Sequence, residues 1–313
     1  MPRPPAVADP ARLPADLPRL HAAIAEWFAA HGRDLPWRRP DAGPWGVMVS
    51  EYMLQQTPVV RVLPVWHEWM ERWPTPADLA AEPSGEALRG WGRLGYPRRA
   101  LRLHAAARRI VEDHDGAVPS SYEDLRSLPG VGAYTAAAIS CFAFGRPETV
   151  VDTNIRRVHA RLFTGNALPE PAYTAAEARL AEALMPDAGH DGGSLANAWN
   201  AGVMELGALV CTARAPRCDA CPVRDACAWL RAGQPAPHYT PKGQPWAGTD
   251  RQVRGAFMAA LRDADAPVAR EDLLGAAVVL ATGAQAEQLE RCLGSLLADG
   301  LAHEGRQGIA LPH

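Results

Sequence analysis

Apolar residues recur at three- and four-residue intervals along most of the chain, the spacing that collects one face of an α-helix. Leu20, Ile24, Trp27 and Phe28 make one such stripe, and the same period predicts helices over 80–88, 101–111, 173–184 and 195–210. Period-two alternation, the mark of a half-buried strand, is scarce. Breaks such as Trp73-Pro74-Thr75-Pro76 and residues 187–193 separate the helices. Ser120 with Glu123 has the spacing of a capping box that opens a further helix. No repeat of roughly 20–50 residues is present, so the pattern is all-α without a solenoid.

The pattern changes at residues 233–250, where four prolines and three glycines predict a semi-rigid linker. Beyond it, helices are expected near 251–262, 270–277 and 284–299, followed by an extended end over 301–311. Three helices and a terminal hairpin suggest a small winged-helix-like module, with a plain helical packing domain as the other reading. The expected division is a core over 17–233, a linker over 234–250 and a C-terminal module over 251–313.

Composition narrows the classes. The 313 residues are 48% hydrophobic and 21% charged, which excludes a mostly disordered chain. The formal net charge of −3 does not by itself advertise nucleic-acid binding. The basic side is nearly all arginine. Lys242 is the only lysine, so chemistry that needs a lysine nucleophile has one candidate. No apolar run reaches the ~18 residues of a membrane helix, and residues 1–18 are proline-rich without an apolar signal core. A cytoplasmic, nucleoid-associated protein is expected, with no membrane partner. Six cysteines are too few for a disulfide scaffold, but four of them crowd into seventeen residues, which reads as a metal site in a reducing compartment.

Those four, Cys211, Cys218, Cys221 and Cys227, are spaced C-x6-C-x2-C-x5-C. Four thiolates at short spacing can surround one zinc ion or one cubane cluster. Zinc sites usually pair two short knuckles, and only one C-x2-C exists here, so the uneven spacing favours a [4Fe–4S] cluster. The loop resembles the iron–sulfur loop of the endonuclease III family of DNA glycosylases. Arg214 and Arg217 lie in its six-residue gap and suit phosphate contact. Cys141 and Cys292 read as inert core thiols.

Leu128-Pro129-Gly130-Val131-Gly132 sits between two helical patterns. Gly130 and Gly132 would let the backbone turn tightly, and their amides, with the next helix N-terminus, offer an anion site for phosphate. Followed by Ala-Tyr-Thr-Ala, the segment resembles the helix–hairpin–helix of the same superfamily. Residues 87–111 hold Arg89, Arg93, Arg98, Arg99, Arg102, Arg108 and Arg109 with no acidic residue, interleaved with Trp91 and Tyr96. That is the composition of a duplex-contact surface.

Two more anchors are Ser50-Glu51-Tyr52-Met53-Leu54-Gln55-Gln56-Thr57 and Val151-Asp152-Thr153-Asn154. Taken in order with the hairpin and the cluster, they resemble the adenine DNA glycosylase family over roughly residues 20–229. The resemblance implies a two-lobed helix–hairpin–helix glycosylase fold, with a six-helix barrel lobe over 46–151. The iron–sulfur lobe would combine 17–45 with 152–233. It implies a monomer acting on double-stranded DNA with an adenine paired to 8-oxoguanine or guanine.

The same resemblance implies roles for matching positions. Glu51 is the acid that protonates the base at N7, with a pKa raised by burial. Asp152 is the carboxylate that stabilises the sugar cation, and it can cap a helix as well. Tyr134 stands where strand-cleaving relatives carry a lysine, so a monofunctional enzyme is expected. Gln56 fills the gap left by the flipped base, and Tyr96 wedges beside the orphan base. Trp37 and Arg38 wall the adenine pocket, with Glu205 as a base contact.

The sequence departs from the family in four places. Asp152-Thr153-Asn154 replaces Asp-Gly-Asn, Gly95-Tyr96-Pro97 replaces Gly-Tyr-Tyr, and Asn200-Ala201 replaces Asn-Gln. The tail is too short for the Nudix-like domain that reads 8-oxoguanine. Two rival readings are a thymine or uracil mismatch glycosylase, against which Glu51 and Gln56 argue, and a non-catalytic iron–sulfur DNA-binding protein, against which the intact Glu51 and Asp152 argue.

Overall fold

The computed structural model describes residues 16–187, 193–240, 243, 246–281 and 283–313. Lys242 and residues 1–15 lie outside them. In chain order the helices are α1 (Leu17–His31), α2 (Gly43–Leu54), α3 (Val59–Arg72), α4 (Pro76–Ala80), α5 (Ser84–Trp91), α6 (Arg98–Asp113), α7 (Tyr122–Ser127) and α8 (Ala133–Phe144). They continue as α9 (Thr153–His159), α10 (Ala175–Ala183), α11 (Ser194–Leu209), α12 (Ala228–Arg231), α13 (Asp250–Asp263), α14 (Arg270–Leu280) and α15 (Ala286–Ala298). Strands β1 (His303–Gly305) and β2 (Gly308–Ala310) form an antiparallel hairpin. No helix among the described residues is long and apolar enough to cross a membrane.

The chain divides into two compact units. One holds residues up to 41 with 132–242, the other 42–131 with 243–313. The boundaries expected near 45 and 151 therefore fall at 41 and 131, and α8 joins the unit that carries the cysteines. The reason is local. The middle of α8, from Thr135 to Cys141, is buried, and from α11 Asn197 Nδ2 donates to Cys141 O at 3.1 Å and Asn200 Nδ2 to Cys141 Sγ at 3.4 Å.

In the unit of 42–131 the core is built on tryptophan. Trp69 meets Trp73 and Trp91 edge-on, with centroids 4.8 and 5.6 Å away, the geometry the ring quadrupole prefers. Trp45 donates to Trp73 O and Trp66 to Gly46 O, so their indole N–H groups enter the core satisfied. The single helix expected over 80–88 is two helices. Pro83 has no N–H to continue a helix from α4, and α5 restarts at Ser84. The helix opened at Ser120 starts one residue later: Ser121 Oγ accepts from Asp124 N at 3.0 Å, and the pair Ser121/Asp124 takes the place of Ser120/Glu123.

Residues 250–313 show the expected three helices and hairpin, and an antiparallel bridge from Val268 to Ile309 ties the hairpin to the α13–α14 connection. This module belongs to the tryptophan-cored unit. Gly85 N donates to Pro312 O at 2.8 Å, and Arg89 donates to the carbonyls of Arg262 and Ala264.

In the other unit α1 lies against α11. A Cβ at Gly202 would come within 2.6 Å of Ile24 Cγ2, so the glycine sets the helix separation. The first part of the expected linker is docked here: Trp229 Nε1 donates to Pro235 O at 2.9 Å and Tyr239 Oη to Pro169 O at 3.0 Å.

Candidate active site

Glu51 lies on α2, in an almost wholly buried stretch of that helix, and is itself 7% exposed. Two residues past the end of α2 the chain turns through Gln56, an exposed side chain on a backbone with φ +57°. Tyr96 also has a left-handed backbone, φ +49°, and its ring is 41% exposed. A non-glycine residue there costs about 1–3 kcal/mol and persists only where the surroundings impose it.

What imposes it is Arg99. Its buried guanidinium donates to Tyr52 O, Met53 O and Gln55 O at the end of α2, to Thr57 Oγ1, and to Gly95 O before Tyr96. Burial lowers its pKa to about 10, so it remains charged at neutral pH.

The hairpin glycines differ. Gly130 has φ +84°, and a Cβ there would stand 2.8 Å from Arg102 Cβ and 3.0 Å from Tyr52 Cε1. Tyr52 Oη donates to Pro129 O and pins the same turn. Gly132 is extended with open space around it, and it is the N-cap of α8. Its contribution is an accessible amide, while the tight turn depends on Gly130. Tyr134 follows in the first turn of α8.

Asp152 is the N-cap of α9. Oδ1 accepts from Ile155 N at 2.7 Å and Oδ2 from Asn154 Nδ2 at 2.8 Å. Burial raises its pKa above the ordinary carboxylate value, against the lowering pull of these bonds and of Arg157. A hydrogen-bonded chain then runs onward. Arg157 Nη2 donates to Asn154 Oδ1 at 2.8 Å and to Gly207 O at 2.7 Å, and its Nε donates to Cys211 O at 2.8 Å. The carboxylate and the first cysteine of the cluster loop are thus linked by two side chains.

Trp37 and Arg38 form a short 3-10 turn that buries Trp37. Glu205 is 0% exposed, and its carboxylate is a bidentate acceptor for Arg33 at 2.6 and 2.8 Å and an acceptor for Arg38 at 2.9 Å. Burial raises the Glu205 pKa, but the arginine hydrogen bonds outweigh it and hold the value at about 2. With both oxygens occupied and no exposed surface, this carboxylate fixes Arg38, whose guanidinium also sits 5.1 Å from the Phe28 ring.

The four cluster-loop cysteines are free thiols. Burial, helped by the neighbouring Cys211, Cys227 and Cys218, pushes Cys221 up to about 11. Yet no three His, Cys, Asp or Glu side chains among the described residues are grouped tightly enough for a single metal ion. A zinc site, with Zn–S of about 2.3 Å, needs sulfurs in near contact. Four thiols on one short loop are the donor set a cubane cluster uses. Arg161, buried in a π-type turn after α9, braces the loop. It donates to Thr212 O and Ala213 O, and to Cys211 Sγ at 3.3 Å, and packs 4.7 Å from the Trp229 ring. Arg214 is exposed. Arg217 is exposed too, but it donates to Leu209 O at 2.6 Å.

The seven-arginine stretch is not one DNA face. Arg99 and Arg89 bind carbonyls, Arg98 pairs with Asp299 at 3.3 Å, and Arg108 and Arg109 pair with Glu112 and Asp113 one turn on. Those acids lie just past the stretch, so its lack of acidic residues does not predict free cations. Arg93 and Arg102 are the exposed members without a carboxylate partner. Arg157, Arg161 and Arg33 carry roles that no motif announced. The spacing of four from Arg157 to Arg161 on one helix face was the available signal.

A helix–hairpin–helix turn ahead of a buried N-cap carboxylate and a four-cysteine loop defines a base-excision DNA repair protein of the endonuclease III type. Residues 49–184 match the HhH-GPD superfamily of base excision DNA repair proteins, and residues 211–227 match the iron–sulfur binding domain of endonuclease III. The chain is 48% identical to the adenine DNA glycosylase of Mycolicibacterium smegmatis, over 91% of this chain and 93% of that one. It is 39% identical to the human adenine DNA glycosylase over 68% of this chain and 40% of that one. Among solved structures, a thermostable thymine-DNA glycosylase superposes with a TM-score of 0.61 at 28% identity, covering 69% of this chain and 97% of that one. An endonuclease III–DNA complex gives 0.57 at 23% over 69% and 96%, a likeness of fold. The chain belongs to the adenine DNA glycosylase family. It is a DNA-binding base-excision enzyme that hydrolyses the N-glycosidic bond of adenine, and it carries a [4Fe–4S] cluster.

Proposed function

We propose that the enzyme excises adenine paired with 8-oxoguanine or guanine, by hydrolysis alone, leaving an abasic site. Adenine leaves poorly unless protonated. Glu51 gives its proton to N7 as the C1′–N9 bond breaks, and the bonding pair departs with the base. The deoxyribose becomes oxocarbenium-like, and the Asp152 carboxylate stabilises that positive charge. Water then adds its hydroxyl to C1′ and releases a proton. Gln56 fills the vacated stack, Tyr96 wedges beside the opposite base, and Gly130, Gly132 and Arg214 contact phosphates. Trp37 and Arg38 wall the base pocket.

Cys211, Cys218, Cys221 and Cys227 are the proposed cluster ligands, and by holding it they would cross-link the loop that presents Arg214. Tyr134 supports the monofunctional reading, because it offers no amine where strand-cleaving relatives have one.

The observation that carries this reading is Asp152. Two hydrogen bonds fix its orientation while burial leaves its charge poorly solvated, the state a developing cation would relieve. Asp152-Thr153 also favours a second reading, thymine or uracil excision, and a thymine/uracil-DNA glycosylase of Pyrobaculum aerophilum is 34% identical over 66% of this chain and 90% of that one. Single-turnover base release from A:8-oxoG, A:G, T:G and U:G duplexes decides between them. Release from A:8-oxoG and A:G alone is expected. Faster release from T:G or U:G would replace this reading by the second. Borohydride trapping of a covalent DNA adduct in stoichiometric yield would refute the hydrolysis-only part.

A further inference from the structure

Two exposed aromatic rings and a guanidinium converge where the C-terminal module meets the tryptophan-cored unit. Arg251 stands in the first turn of α13, and its Cζ lies 5.1 Å from the Tyr96 ring centroid and 5.4 Å from that of Trp246. Trp246 is 53% exposed and Tyr96 41%, well above the exposure of the core tryptophans. On its inner side Tyr96 has Arg99, with Cζ 5.4 Å from the ring.

The base of Arg251 is fixed. Thr249 caps α13, and its Oγ1 donates to Trp246 O at 2.7 Å. Asp250 pairs with Arg291 at 2.8 Å and accepts from Gln288 at 2.9 Å. The module itself is clamped through Gly85 to Pro312, Arg89 to Ala264, and Arg98 with Arg254 on Asp299. An exposed tyrosine would otherwise sample several rotamers. Cations within about 6 Å of its centroid bias it toward one.

We infer that Arg251 is a positioning residue for Tyr96, seconded by Trp246, and that through it the C-terminal module sets which base is accepted opposite the target adenine. The inference rests on the proposed placement of Tyr96 beside that base. The module takes part in discrimination by holding the wedge ring, without a pocket of its own.

The test uses the full-length, cluster-loaded protein. The readout is the ratio of single-turnover adenine release opposite 8-oxoguanine to release opposite guanine. Arg251→Ala should lower that ratio about two- to fivefold, the size of one exposed cation–π contact, with the thermal midpoint unchanged. Trp246→Ala should lower it less, and Arg251→Lys should restore part of it. In a Tyr96→Leu background Arg251→Ala should add nothing.

An unchanged ratio in Arg251→Ala overturns the inference, and so does an equal effect in the Tyr96→Leu background. A uniform loss of affinity on every duplex, with a shallower salt dependence, would make Arg251 a phosphate contact and also overturn it. If the wild type shows no preference between the two opposite bases, or Tyr96→Leu leaves the ratio intact, the underlying placement of Tyr96 fails instead.

Discussion

Replacing Asp152 by asparagine should abolish base release and make the protein more stable. The pKa of Asp152 is raised in the folded state, chiefly by burial. Wherever the group is ionised, the folded state bears a desolvation cost that the unfolded chain does not. As pH falls through the raised folded value the native carboxylate takes up its proton first, and the cost disappears. Asparagine removes the charge and remains a strong N-cap, so the bond to Ile155 N survives. The expected gain is about 1 kcal/mol, the scale on which relaxing an active-site group stabilises. That is roughly 2–4 °C in a chain of this size. Both variants deprive Asn154 Nδ2 of its acceptor, since an amide NH2 would stand where Oδ2 does, but alanine also loses the cap, worth about 1 kcal/mol. Asp152→Ala should therefore melt below Asp152→Asn by several degrees. Melting curves at pH 7.5, repeated at acid pH, check the sign: the advantage of Asp152→Asn should shrink as the wild-type carboxylate protonates. An asparagine variant less stable than wild type at pH 7.5, or one that still releases adenine at the wild-type rate, would refute the reasoning. In the wild type, activity should fall on the acid side at a pH above the ordinary aspartate range.

Other outcomes follow from the same geometry. Gly130→Ala places a Cβ 2.8 Å from Arg102 Cβ on a backbone with φ +84°. It should cost about 1–3 kcal/mol and weaken duplex binding in a gel-shift titration, whereas Gly132→Ala, in open space, should fold normally. Arg157→Gln cannot span Asn154, Gly207 and Cys211, and should lower both iron content and single-turnover rate by about 10–100-fold, the usual effect of losing a partner behind a metal ligand. Gly85→Val drives a side chain into Pro312 O, 2.4 Å from the built Cβ, and should expose the C-terminal residues to limited proteolysis without changing cluster absorbance.

Much of the architecture is legible as periodicity, because α1, α6 and α10 bury one face each and their apolar residues fall on it. The errors arise where one residue type has two physical uses. Pro83 splits a periodic stretch that hydrophobicity alone reads as continuous. Residues 233–240 read as part of a semi-rigid linker, but bonds through Pro235 O and Tyr239 Oη dock that segment. Glu51 and Asp152 stand out by motif, since each sits at a fixed place in a local pattern. Arg99, Arg157 and Arg161 do not, because their partners lie some forty to fifty residues away and are mostly backbone oxygens, which leave no trace in composition.

That use of arginine explains how a chain with a net charge of −3 and one lysine can shape a DNA-facing surface. A lysine ammonium offers three donors from a point, whereas a guanidinium offers five in a planar fork. Only the fork lets Arg99 gather carbonyls from the end of α2 and from Gly95 at once. The two strained backbones it ties down, Gln56 and Tyr96, are the two side chains proposed to enter the base stack. Each left-handed residue costs free energy, and each would relax to an extended conformation if its neighbours let go. A lysine at 99 keeps the charge but cannot span both segments, so it should free both loops together. Strain, buried guanidinium and proposed DNA contact therefore form one mechanical unit. Its cation points inward to shape the surface, and exposed arginines such as Arg93, Arg102 and Arg214 are left to meet phosphate in the proposed complex.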